Sequence, residues 1–400
     1  MANVPTLRFP GFTEEWQKMR LDELLDFYST NSLSWEQLEY ENGGLYNLHY
    51  GLIHVGLPTL VDATAQSLPI IKGEFLPRNY ELVKEGDIAF ADASEDTNEV
   101  AKAVEFTNTA TNRIVCGLHT IHARDNKNRT VLGFKGFYFS SPAFHNQIRR
   151  LAQGTKIFSV LTKTLSECSV SLPTKDEQIK IASLLKLLDE RIALQSKLIE
   201  DLKILKSAIV EMLYGQSTSK IRLGAVIKQV SIRNRNGSER KVMSVNNKYG
   251  FIAQSEQFEE RLVASEDTSN YKVITTGVFA YNPARINVGS IAQYKGDRPC
   301  IVSPMYICFE CGKQVIGGYL EHFFSTRYFH KEMEKRLEGS VRLCLSFEAL
   351  CNISISLPPI EQQQKYAQVI GRISDRISTE TGILQAYQKQ KSYLLSAMFI

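Results

Sequence analysis

The 400-residue chain carries 47 Lys and Arg against 43 Asp and Glu, a formal charge of +4, and 43% of its residues are hydrophobic. That is enough apolar material for a multidomain globular protein, with two or three units at roughly 150 residues each. The charge is too small to mark a nucleic-acid binder by itself. No apolar leader opens the chain and no run of about 18 apolar residues could span a membrane, so a cytoplasmic protein with no membrane partner is expected.

Residues 1–170 are rich in β-branched and aromatic runs broken by Gly, Asn and Asp, as in Gly86-Asp-Ile-Ala-Phe90, and predict a mixed α/β globule. Arg124, Lys127, Arg129 and Lys135 gather with Asn126 and Asn128 in a polar, turn-like stretch. His119-Thr-Ile-His122 is a weak ligand pair, better explained as strand histidines with one face buried.

Residues 171–215 follow Pro173 without an interior glycine and predict a long helix. Leu185, Leu188, Ile192, Gln195, Ile199, Leu202, Lys206, Ile209 and Leu213 step by three and four, a heptad seam. Residues 175 to 214 hold seven basic and seven acidic side chains, so this helix is unsuited to holding DNA by charge. At 1.5 Å per residue its length of roughly 60 Å suits a spacer.

Residues 216–355 predict a second α/β globule. Five basic residues, Arg233, Arg235, Arg240, Lys241 and Lys248, stand against the single acid Glu239 between positions 233 and 248. Arginine and lysine neutralise phosphates, and Arg, Asn and Gln reach base edges, so Arg124, Lys127, Arg129, Arg233, Arg235, Lys248, Tyr249, Arg285 and Asn287 are the DNA-contact candidates. An ordinary solvated loop is the other explanation for each charge run. Residues 356–400 predict a second long helix, whose seam is Ile370, Ile373, Ile377, Glu380, Leu384, Tyr387, Lys391, Leu394 and Met398.

Adding 185 maps Ser171-Leu-Pro173 onto Ser356-Leu-Pro358, Gln178 onto Gln363, Phe144-His145 onto Phe329-His330 and Gly154 onto Gly339. Further upstream the offset becomes 202, from Arg20-Leu21 to Arg222-Leu223. Two long copies point to an internal pseudo-dimer rather than a solenoid. The fold class expected is α+β: two pseudo-repeated α/β globules separated by two long helices that pair as an antiparallel coiled coil. Polar residues interrupt both seams at matched places. Either they snorkel at the edge of the stripe, or they form register-fixing pairs, Lys206 with Glu380 and Gln195 with Lys391.

Catalytic signatures are missing: no phosphate loop, no Gly-x-Gly-x-x-Gly after a strand, no His-Glu-x-x-His, no Gly-x-Ser-x-Gly. Asn282-Pro-Ala-Arg285 lacks the second proline and aromatic residue of adenine methyltransferases. Cys308-Phe-Glu-Cys311 is half a zinc knuckle and better explained as strand cysteines; the seven cysteines are expected to be reduced and buried. No catalytic, cofactor or metal residues are expected.

The opening Val4-Pro-Thr-Leu-Arg-Phe-Pro-Gly-Phe-Thr-Glu-Glu-Trp16, the stretches Gly86-Asp-Ile88, Cys116-Gly-Leu-His-Thr-Ile121 and Tyr281-Asn-Pro-Ala-Arg-Ile-Asn-Val-Gly-Ser-Ile291, and the openings at Leu172 and Leu357 resemble specificity subunits of Type I restriction-modification systems. The resemblance covers essentially the whole chain. It implies two target-recognition domains, each reading half of a bipartite double-stranded DNA site. It also implies a paired-helix spacer that docks two methylation subunits and supports restriction subunits. S-adenosylmethionine, ATP and magnesium would then reside on those partners. A divergent methyltransferase or nuclease, and a purely structural coiled-coil adaptor, are the alternatives. Little tail follows the second helix to complete a joint with residues 1 to 20.

Overall fold

Alternate residues of the strand Ile88–Ala91 serve two different cores, because side chains along a strand point to opposite faces in turn. Ile88 and Phe90 pack with Phe134, Phe137, Phe144 and Leu185, whereas Ala89 and Ala91 pack with Ile53, Phe106 and Ile114. A strand covered on both faces has no polar side, which is why this one appears in the sequence as an unbroken apolar run. The chain divides into two units, residues 1–196 with 383–400, and residues 197–382. The computed structural model describes residues 3–41, 43–109, 113–154, 156–215, 220–254, 267–340 and 342–400.

In the first unit the central sheet runs in the order Asp26–Tyr28, Thr120–Arg124, Ile88–Ala91, Ala103–Asn108, Leu60–Asp62. The second unit repeats the first four places as Ile227–Val230, Ile307–Cys311, Phe279–Tyr281, Ile291–Gln293. Its large residues Phe279 and Tyr281 again face one core and Ala280 the other. Ala89 lies opposite His122, and Ala280 opposite Cys308, so the strand register equates His122 with Cys308.

The repeat extends to individual hydrogen bonds. Gln178 Nε2 donates to the carbonyls of Pro173 and Arg129, and its Oε1 accepts from Val131 N–H. Gln363, 185 positions on, donates to Pro358 and Gln314 and accepts from Ile316 N–H, each partner also 185 on. Both amides are buried, and each staples the start of a long helix to its own globule. Ser141 and Thr326 cap matching helices by accepting from Phe144 and Phe329 N–H. Gly154 (φ +133°) and Gly339 (φ +123°) begin matching hairpins, where a Cβ would overlap the carbonyl oxygens of Ile157 and Arg342. Only glycine fits such a backbone, so the recurrence of both glycines is a steric requirement.

The long helices are Lys175–Gly215 and Ile360–Ala397. Within the first unit Arg191 Nη1 donates to Tyr387 Oη at 3.3 Å, and Lys391 Nζ meets Asp189 Oδ1 at 2.6 Å. Rising along one helix therefore descends the other, so they pack antiparallel. The expected pairing of Lys391 with Gln195 is corrected, because the register is displaced by close to one heptad. Lys391 gains a full charge pair with Asp189 and lies 5.7 Å from the centre of the Phe137 ring. In the second unit Glu380 pairs with Arg376 on its own helix at 2.5 Å, and the charges acting on Lys206 are Glu321 and Lys295. The expected pair Lys206 and Glu380 is thus corrected, because Arg376 meets the Glu380 charge.

The short tail suffices to close the first unit. Leu7 N–H donates to the Ala397 carbonyl at 2.9 Å, Tyr138 Oη donates to the Ile400 carbonyl at 3.0 Å, and Trp16 meets Phe399 edge to face at 6.4 Å. Among the described residues no helix is long and apolar enough to cross a membrane.

Candidate nucleic-acid interface

Arg124, the first of the DNA-contact candidates, is committed elsewhere. Its Nε and Nη2 donate to Asp87 at 2.7 and 2.8 Å, Nη1 to Glu81 at 2.7 Å, and Nη2 also to the Leu82 carbonyl at 2.8 Å. The guanidinium lies 4.6 Å from the Tyr28 ring centre, and His122 Nε2 lies 2.7 Å from Asp87. Burial alone would raise the Asp87 carboxyl, but His122, Arg124 and the Lys84 N–H hold it below the usual carboxylate range. Hydrogen bonds to Asp87 raise Arg124 in turn. The expectation that Arg124 reaches DNA is therefore corrected: it is the centre of a buried ionic knot. Lys135 is likewise paired with buried Glu105 at 2.9 Å.

Lys127 is exposed and donates to the Glu23 carbonyl at 2.8 Å; Arg129 Nη1 contacts Met19 Sδ at 3.1 Å. Both lie past the Arg124 end of its strand, beside the Gln178 staple.

Of the second unit's candidates, Arg285 lines a cleft of about 240 Å³ together with Asn246, Asn247, Gln254, Asn282 and Met305, and Lys248 and Asn287 adjoin the lining residues Asn247 and Val288 in sequence. Short polar side chains build its rim. Asn246 Oδ1 accepts from the Lys248 and Tyr249 N–H groups, a local turn that projects Lys248 and a 67% exposed Tyr249 into solvent, with Nζ 5.0 Å from the ring centre. Asn234 is buried and bonds both main-chain polar groups of Glu239, closing a turn that leaves Arg235 exposed. Arg233 Nη1 is held by Asn270 Oδ1 at 3.1 Å. Arg285 and Asn287 are exposed on the loop after Tyr281. On the cleft wall, Gln254 Oε1 is buried without a hydrogen-bond partner, an acceptor suited to an incoming donor.

Sequence reasoning missed the matching place in the first unit. Val115 bridges Leu82 as Ile301 pairs with Val273, so the turn Gly117-Leu-His119 is equivalent to Ser303-Pro-Met305 on the cleft. His119 is not a strand residue. It sits at φ +53° just before the strand Thr120–Arg124, its side chain 49% exposed and its Nδ1 3.0 Å from Asp92 Oδ1. Tyr50 meets its ring edge to face at 5.2 Å, and His49 and Trp35 continue the ring cluster. Burial lowers His49 below the ordinary imidazole value. No local signal marks a left-handed histidine; its placement follows from strand register alone.

Cys308 and Cys311 share the strand Ile307–Cys311 but pack into different cores, so they cannot grip one metal ion. Cys116, Cys168, Cys300 and Cys308 are buried, whereas Cys311, Cys344 and Cys351 are only half-buried, which corrects the expectation for those three. Burial pushes the thiols of Cys300 and Cys308 up to about 11. No group of three or more metal-binding side chains occurs among the described residues.

A family model for the Type I restriction modification DNA specificity domain matches residues 13–203 and 232–387. The fold is similar to the crystal structure of a Type I restriction-modification system S subunit from M. genitalium, with TM-score 0.60 and 15% identity over 99% of both chains. It is also similar to a chain from a structural study of complex assembly and conformational transition of the Type I R-M system, with TM-score 0.55 and 14% identity over 97% of this chain and 98% of that one. No curated protein sequence matches at a significant level.

Proposed function

Because the chain belongs to the family of Type I restriction-modification DNA specificity domains, we propose that it selects double-stranded DNA for such a complex, each unit reading one half of a bipartite site. Specificity subunits of this family are not catalysts. Methyl transfer would fall to two methylation subunits carrying S-adenosylmethionine, and cleavage to restriction subunits using ATP and magnesium.

The observation that carries this proposal is the contrast between frame and rim. Two units share staples, caps and hairpins bond for bond, yet present different side chains at the equivalent turns, His119 in one and Met305 in the other. Shared frames with differing rims suit two half-sites of different sequence. Exposed Arg235, Lys248, Arg285 and Asn287 suit contacts to phosphates and base edges, and each good bidentate base contact discriminates by about 1–3 kcal/mol. Leu187 and Leu194 in the first unit, and Leu198, Leu205 and Met212 in the second, lie exposed on the first long helix, apolar surface suited to partner subunits.

The test is methylation of a random DNA library by purified methylation subunits and labelled S-adenosylmethionine, with and without this chain. Methylation at one two-part motif, only when the chain is present, is the expected result. Methyl transfer by the chain alone, or methylation with no chain-dependent selectivity, would contradict the proposal.

A further inference from the structure

We infer that His119 is a specificity-determining residue of the first unit, one that touches a base edge in the half-site this unit reads; the inference rests on the function proposed above. A non-glycine residue at φ +53° is strained by the crowding of its Cβ, and such strain persists only where surrounding contacts enforce it. Here the contacts are visible on every side. The His119 carbonyl accepts from Asp92 N–H at 3.1 Å, the Leu118 carbonyl accepts from Tyr50 N–H at 3.2 Å, and the Thr120 hydroxyl donates to the Gly117 carbonyl at 2.6 Å. Asp92 takes Nδ1 and Tyr50 braces the ring edge, which leaves Nε2 as the free polar atom of a half-exposed, pre-oriented imidazole.

Fixing one ring nitrogen against a carboxylate sets the hydrogen-bonding character of the other. A proton held on Nδ1 makes Nε2 an acceptor, matched to the exocyclic amino groups that adenine and cytosine show in the major groove. Pre-orientation matters because a side chain already held in place loses less conformational freedom on binding. The second unit supports the assignment independently. Its equivalent turn carries Met305, 56% exposed on the wall of the cleft, an apolar group suited to a thymine methyl rather than to a hydrogen bond. One backbone position thus bears an outward side chain of different chemistry in each copy.

The experiment uses the full chain assembled with methylation subunits on a DNA library randomised at every position of the recognised motif. His119→Ala should relax discrimination at one position in one half, by about five- to hundredfold, and leave the other half unchanged. His119→Gly removes both the side chain and the backbone strain, so it should melt no lower than the parent chain and relax the same position. Met305→Ala should act on the other half alone. Unchanged base preference at every position in both His119 variants would overturn the assignment while leaving the specificity role intact. So would a uniform fall in methylation with preferences preserved. Absence of any motif with the parent chain would overturn the proposed function and the assignment with it.

Discussion

The two units solve one packing problem with different chemistry. At the turn and strand where the first unit buries Asp87, His122 and Arg124 as an ionic knot, the second has Val278, Cys308 and an exposed Glu310, and stacks Phe279 on Phe309 at 5.1 Å. The first four places of the sheet are the same in both, so the knot is not what specifies the fold. A buried ion pair recovers little more than its desolvation cost, while an apolar replacement of similar volume folds equally well. What the units hold in common is main-chain satisfaction, through the Gln178 and Gln363 staples and the glycine hairpins.

That difference is testable from the largest effect downward. Removing one partner of a buried knot strands the others, so Arg124→Ala should destabilise the first unit by about 3–5 kcal/mol. Glu310→Ala, at the equivalent strand position, should cost less than about 0.5 kcal/mol. Both tryptophans, Trp16 and Trp35, belong to the first unit, so urea unfolding followed by tryptophan fluorescence reads Arg124→Ala, and amide exchange across the strand Ile307–Cys311 reads Glu310→Ala. Loss of stability in both variants, or in neither, would break the contrast.

The shared staple should behave oppositely. Gln178→Ala and Gln363→Ala each delete three hydrogen bonds and leave buried main-chain groups unpaired, so both should cost about 2–3 kcal/mol. Fluorescence reports the first, and amide exchange across residues 314–366 the second. Unequal losses would mean that the repeat is one of sequence rather than of energetics.

Acid should act on both units through buried histidines. Burial, with Lys206 nearby, lowers His322 to about 4. The unfolded chain binds a proton near pH 6.5 and the folded one does not, so stability in the second unit is lost as pH falls from about 6.5 to 4, by on the order of 3 kcal/mol. Asp87, held below its ordinary value, stabilises the first unit above about pH 3.9, and that contribution is lost only as pH falls through its folded value. Burial also lowers His49 and His145 in the first unit, so calorimetric melts from pH 7 to 4 should show both units weakening, and His322→Gln should flatten the slope of the second alone.

The smallest effect on stability falls on the rim. Arg235→Ala and Lys248→Ala should change stability by less than about 0.5 kcal/mol, yet each should lower the salt dependence of DNA binding by about one counterion. An unchanged slope would remove those residues from the phosphate contacts.

Much of the frame was legible because backbone geometry dictates it. Glycine at a strongly positive φ, and an amide that must bond three main-chain groups, leave the same residue at the same offset in both copies. Arg124 was not legible as a knot, since Asp87 stands 37 positions earlier and only sheet register brings them together. The helix register slipped for a related reason: an apolar stripe of period seven matches itself after a shift of one heptad, and specific contacts such as Asp189 to Lys391 and Arg191 to Tyr387 choose. The composition of the loops pointed to the cleft around Arg285 but not to His119, whose importance lies in a backbone conformation.

The most direct measurement exchanges residues 21–170 for the matching segment of a specificity chain with a different motif, and then maps the methylated sites. Two units that share a frame and read separately predict a hybrid motif in which one half changes and the other is retained. Change in both halves, or in neither, would contradict that account.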